Sequence, residues 1–169
     1  LDGLGHHPGI AGTQQGQMVP GTGNAGVEQF ARQDLARPIG DDQGDMGELA
    51  GLLLPKAVFR SPMAHTPYPS AQAVRLILST VAQVFQDFQY HRQFFSADEA
   101  QGQSVVLEFS ARVGDKQLKG IDMITFDADG KITDFEVMVR PMSGLQALGD
   151  EMGKRLAPYL SAYKAAVPQ

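Results

Sequence analysis

The sequence predicts an α+β domain, with helices packed on one face of a strongly curved antiparallel sheet. Two observations carry that prediction. Between Phe88 and Arg140, four strand-like segments follow one another, joined by turn residues. Short hairpin connections make neighbouring strands antiparallel. Ahead of them, apolar residues repeat at helical period from Ala71 to about Phe85. A sheet curved over helices leaves a cone whose mouth can take a small molecule.

The bulk numbers suit such a domain. The chain has 169 residues, 43 % hydrophobic and 20 % charged, enough for one real core. Net charge is −5, and no basic stretch exists to neutralise phosphates, so no nucleic-acid partner is expected. There is no cysteine, which excludes disulfides, thiolate chemistry and Cys-based zinc sites. No run approaches the roughly 20 apolar residues of a membrane span. No basic region followed by an apolar segment opens the sequence. A cytoplasmic location without membrane contact is the expectation.

Residues 1–26 are rich in Gly, Gln and Pro, and they read as a flexible tail or surface arm. His6 and His7 lie there without further ligands. The single domain is expected over 27–169. Val27 to Leu35 reads as a helix stopped by Pro38-Ile39-Gly40. Met46 to Leu54 reads as a second helix ended by Pro55. Ala57 to Ser61 reads as a strand, and Pro62 to Pro69 as a loop carrying His65, Thr66 and Tyr68.

Ser70 is a good N-cap for the next helix. Its stripe is Val74, Ile77, Leu78, Val81 and Phe85. Strands are expected over Phe88–Ser96, Ser104–Val113, Gln117–Asp127 and Lys131–Arg140. Gly114-Asp115 and Asp129-Gly130 supply the turns. The last strand alternates Thr133, Phe135, Val137 and Val139 against Asp134, Glu136, Met138 and Arg140, so one face is buried. Ser143-Gly144-Leu145-Gln146 matches a capping box opening a final helix. Pro158 should break or kink it.

One carboxylate stands out. If Asp122 shares a face with Gly120, Ile124 and Phe126, it points into an apolar interior. Desolvation would then raise its pKa and fit it to donate a hydrogen bond or act as an acid near neutrality. Glu108 interrupts Val105-Val106-Leu107 and Phe109. Alternation puts it in solvent, while a bulge would turn it to the pocket. His65 and Tyr68 lie where a loop would rim the mouth. Arg60 reads as a structural partner for a carboxylate. Tyr90 and His91 alternate faces, so at most one enters the interior. No metal-ligand spacing, phosphate loop or nucleophile elbow is present.

Val58-Phe59-Arg60-Ser61-Pro62, the helix from Ser70, and Gly120-Ile121-Asp122 with Phe126 and Asp129-Gly130-Lys131-Ile132 resemble the nuclear-transport-factor-2-like superfamily. Its members include SnoaL-like polyketide cyclases, ketosteroid isomerases and limonene-epoxide hydrolases. The resemblance covers about Gly47 to Arg140. It implies a cone-shaped, cystatin-like fold and a homodimer packed through the outer sheet face. By position, Asp122 matches an oxyanion-donating Asp of the isomerases and an acid–base Asp of the cyclases. Ser61 stands where the isomerases keep a general base before a Pro. Glu108 falls near one carboxylate of the epoxide hydrolases. Val106 stands where their Arg is expected, and Val137 or Val139 in the region of their second Asp.

The functional expectation is a pocket for a small apolar molecule, lined by Phe59, Ile77, Val81, Phe109, Ile124, Phe126, Phe135 and Val137. Cofactor-free acid–base chemistry on a carbonyl compound would use Asp122, completed by Glu108, His65 or Tyr68. A non-catalytic ligand-binding or dimerisation module is the alternative. Epoxide hydrolysis is a weaker third.

Overall fold

The computed structural model describes residues 51–98 and 102–166. The expected tail, the helix over 27–35 and most of the helix over 46–54 lie outside that range. Strand β1 spans Leu53–Arg60, β2 Tyr68–Pro69, β3 Gln86–Asp98, β4 Gly102–Val113, β5 Lys116–Phe126 and β6 Ile132–Arg140. Helix α1 spans Ala71–Val84 and α2 spans Met142–Ala166. The sheet order is β2-β1-β6-β5-β4-β3. Helices and sheet segregate as an α+β fold.

The meander β3 to β6 is antiparallel throughout. The sheet as a whole is mixed, because β1 runs parallel to β6, with Phe59 beside Phe135. That corrects the all-antiparallel expectation. A crossover carrying a helix is what lets two strands lie parallel, and α1 together with the meander fills that role here.

Three local readings change with it. Helical structure ends at Leu52, and Leu53, Leu54 and Pro55 belong to β1. Pro55 is tolerated because the β1–β6 register shifts between Leu53 and Val58, so no ladder bond is asked of it. The loop from Pro62 contributes a short strand at Tyr68–Pro69, paired to Val58 and Phe59. Helix α2 begins at Met142, with the Leu145 amide donating to the Pro141 carbonyl at 3.0 Å, so Ser143 lies inside the helix rather than capping it. The helix also continues past Pro158.

Other readings hold. Ser70 caps α1, its Oγ accepting from the Ala73 amide at 3.3 Å. The turn into β6 is built on Asp127, whose Oδ1 accepts from the amides of Asp129 and Lys131 at 3.0 and 2.8 Å. Gly130 there has φ 75°, which a side chain would resist. A register shift between Thr125 and Phe126 makes Thr133 the odd residue of β6. Ile132 and Phe135 are consequently the buried positions, and strict alternation fails at Thr133.

Two apolar clusters hold the layers together. Val74 and Leu78 of α1 pack on Phe59, Leu107, Ile124, Phe126 and Phe135 of the sheet. Leu148 of α2 packs with Val84, Phe109, Val113 and Leu118. Arg60 reaches Asp134 across the β1–β6 pair at 2.9 Å, as its reading as a structural residue implies. No helix among the described residues is long and apolar enough to cross a membrane.

Candidate functional site

A cavity of about 510 Å³ opens between the two helices and the concave sheet face. Helix α1 gives it Leu76, Ile77 and Val81, with Phe85 at its C-cap; α2 gives Leu148, Met152 and Leu156. The sheet gives Phe59, Phe88, Phe109, Asp122, Phe135 and Val137. Its walls are mostly apolar, and its volume lies in the range of small-molecule sites.

Strand β5 alternates strictly from Leu118 to Phe126, so Gly120, Asp122, Ile124 and Phe126 share the inner face. Asp122 is only 6 % exposed. The Tyr90 hydroxyl donates to its Oδ2 at 2.9 Å. Among the described residues Oδ1 receives no hydrogen bond, yet no buried side-chain oxygen is left unpartnered, so Oδ1 faces the cavity. Burial pushes the carboxyl from its ordinary 3.8 up to about 7. The Tyr90 bond favours the ionised form and works against that rise. Burial, then the Asp122 charge and the shared hydrogen bond, holds the Tyr90 phenol well above its ordinary value. Tyr90 therefore stays a donor, and Asp122 changes protonation near neutrality.

Aromatic rings fix this pair. Phe88 meets Tyr90 edge-on at 4.8 Å between centroids, and Phe109 meets Tyr90 edge-on at 6.5 Å. Phe85 stacks on Phe88 at 5.7 Å. Such ring pairs resist rotation of the phenol, because each has a preferred geometry.

The other expected site residues divide cleanly. Phe59, Ile77, Val81, Phe109, Phe135, Val137 and Tyr68 all line the cavity. Ile124 and Phe126 do not; they are core residues beneath it. His65 is exposed and off the lining. Glu108 follows simple alternation to the outer sheet face, where it pairs with Arg92, a bond that lowers its pKa. No bulge interrupts β4 against β5, so nothing turns Glu108 inward. Ser61 lines the cavity, its Oγ accepting from the Met63 amide at 3.1 Å. Sequence reasoning missed Tyr90 as the Asp122 partner and missed the whole contribution of α2.

Comparison with known proteins follows the same lines. A steroid delta-isomerase structure from Pseudomonas aeruginosa is 60 % identical, with a TM-score of 0.67, over 81 % of this chain and 93 % of that one. A protein of cystatin-like fold from Silicibacter pomeroyi is 29 % identical, with a TM-score of 0.65, over 83 % of this chain and 93 % of the other. A SnoaL-like protein from Shewanella putrefaciens shares the fold at 11 % identity and a TM-score of 0.51, over 76 % of this chain and 86 % of that one. Neither a protein-family model nor a curated relative matches the chain.

Proposed function

This chain belongs to the nuclear-transport-factor-2-like superfamily, and from that premise we propose that its pocket binds a small apolar carbonyl compound and polarises the carbonyl oxygen through protonated Asp122. The observation that carries this reading is a carboxyl with a pKa of about 7, one oxygen held by Tyr90 and the other facing an apolar cavity. A hydrogen bond to a carbonyl oxygen makes the carbon beside it more acidic and the carbonyl carbon more electrophilic. Isomerisation and ring closure both start from that polarisation, and Asp122 supplies it without a cofactor. The 60 % identity to a protein described as a steroid delta-isomerase supports chemistry of this type.

A second reading is a non-catalytic binding pocket. Ser61 favours it: a neutral hydroxyl stands where a base would be needed, and the cavity lining offers no second carboxylate or imidazole among the described residues.

The test uses 2-tetralone as ligand, with binding measured by calorimetry between about pH 6 and pH 9. Wild type is expected to lose affinity as Asp122 ionises, approaching a hundredfold at about two units above its pKa, because only the protonated fraction donates. Asp122→Asn keeps an N–H donor and should bind with no such pH dependence. Asp122→Leu should bind weakly at every pH. Equal wild-type affinity across the range sinks the reading. Hydrogen–deuterium exchange at the carbon beside the carbonyl then separates enzyme from binding module: acceleration by wild type and not by Asp122→Leu supports catalysis.

The outer sheet face supports a homodimer. Met138 is 49 % exposed there, beside Ile121. Sedimentation of wild type should give twice the chain mass, and Met138→Glu should shift it to the monomer. An unchanged mass in the variant removes this face as the interface.

A further inference from the structure

The two ends of the cavity are built differently. Asp122, Phe109 and Phe135 are buried and form its inner end. Met63 and Tyr159, 49 % and 55 % exposed, mark the mouth. On the same wall as Met63, α2 presents Gly149 and Gly153, four residues apart and so one turn apart on one side of the helix.

The two glycines are not equivalent. A Cβ at Gly149 would stand 2.4 Å from Met63 Cε, so the Met63 side chain already fills that space. A Cβ at Gly153 would meet nothing within 4 Å, although Gly153 lines the cavity. Gly153 is exposed, so its Cα is bare wall at the rim of the cavity. Glycine inside a helix is less stable than alanine, so nothing about helix formation explains it. The independent sign of a ligand is Asp122 Oδ1, which faces the same cavity from its closed end without a partner among the described residues.

We propose that Gly153 determines ligand length. The pocket takes an apolar ketone whose oxygen meets Asp122 and whose body runs out along the α2 backbone, leaving at Gly153. Gly149 is held by Met63 and sets the width of the same passage. Compact ketones bind without reaching Gly153; extended ones pass over it. This inference rests on the carbonyl-binding reading above and adds the shape of the ligand to it.

The experiment measures affinities at about pH 6 for straight-chain 2-alkanones of roughly six to twelve carbons, a span that brackets the depth of an ordinary ligand pocket. Wild type, Gly153→Ala, Gly153→Leu and Asp122→Leu are compared. The shortest ketone should bind wild type and both Gly153 variants within about twofold. The longest should bind Gly153→Leu at least about tenfold more weakly than wild type, with Gly153→Ala between them. Both Gly153 variants should melt no lower than wild type, since each improves helix propensity. If Gly153→Leu fails to fold, the length-dependent loss in Gly153→Ala decides alone. Equal losses at every length, or none at any, overturn the proposal. Sensitivity to Asp122→Leu with no sensitivity at Gly153 leaves the carbonyl reading standing and removes this one. A wild type that binds no ketone removes both.

Discussion

Asp122→Asn is expected to be more stable than wild type above neutral pH, and equal to it near pH 4. The sign follows from the proton balance. The native carboxyl titrates at about 7 and the unfolded one near 3.8. Between those values the native state holds a proton that the unfolded state has released. Stability then falls as pH rises through that window, and levels off above it. A shift of about three units corresponds to a ceiling of roughly 4 kcal/mol. Asn does not titrate, and its amide oxygen can accept from the Tyr90 hydroxyl as Asp122 Oδ2 does. All other carboxylates are common to both proteins and cancel in the difference. Urea unfolding of the pair at about pH 4, 6 and 8 measures it. The gap should open from near zero to a few kcal/mol, or about 10 °C in Tm. Parallel curves would mean that Asp122 is not buried as an acid.

Gly120→Ala should cost about 3 kcal/mol or more, near the upper end for overpacking a core. The added Cβ would lie 2.3 Å from Phe109 Cζ and 2.6 Å from the Met138 carbonyl oxygen. The first obstacle is a ring that also walls the pocket and packs against Tyr90. The second is backbone of the neighbouring strand, which cannot move aside without disturbing the β5–β6 ladder. Chemical unfolding of Gly120→Ala and of the double variant Gly120→Ala/Phe109→Leu distinguishes the two. Removing the ring should recover little, because the carbonyl clash remains. Full recovery would assign the whole cost to Phe109.

Much of this site could be read from a single strand. Gly120, Asp122, Ile124 and Phe126 repeat at period two, and that alone turns the carboxyl inward. The capped stripe of α1 was equally legible. Tyr90 was legible only in part. It stands two residues from Phe88, so the two share a face, but its contact with Asp122 crosses β4. Shifts in the β3–β4 register on both sides of Tyr90 decide whether the hydroxyl arrives. Glu108 shows the converse. Simple alternation placed it correctly, and the family resemblance drew it towards the pocket. Helix α2 was expected from its opening residues, but no local pattern says which cavity it will close. The parallel β1–β6 pair was invisible for the same reason: nothing in either segment names a partner so distant.

That pairing has a consequence for how the chain is made. Phe59 and its neighbour Phe135 are separated by about 75 residues of synthesis. At ribosomal speeds of roughly 5–20 residues per second, β1 waits some 4–15 seconds before β6 exists. During that interval β1 has only the two-residue β2 beside it, and the meander must form before β1 can join the main sheet. Nascent-chain lengths that end before β6 should therefore leave β1 open to chaperones, while lengths that expose β6 should close it.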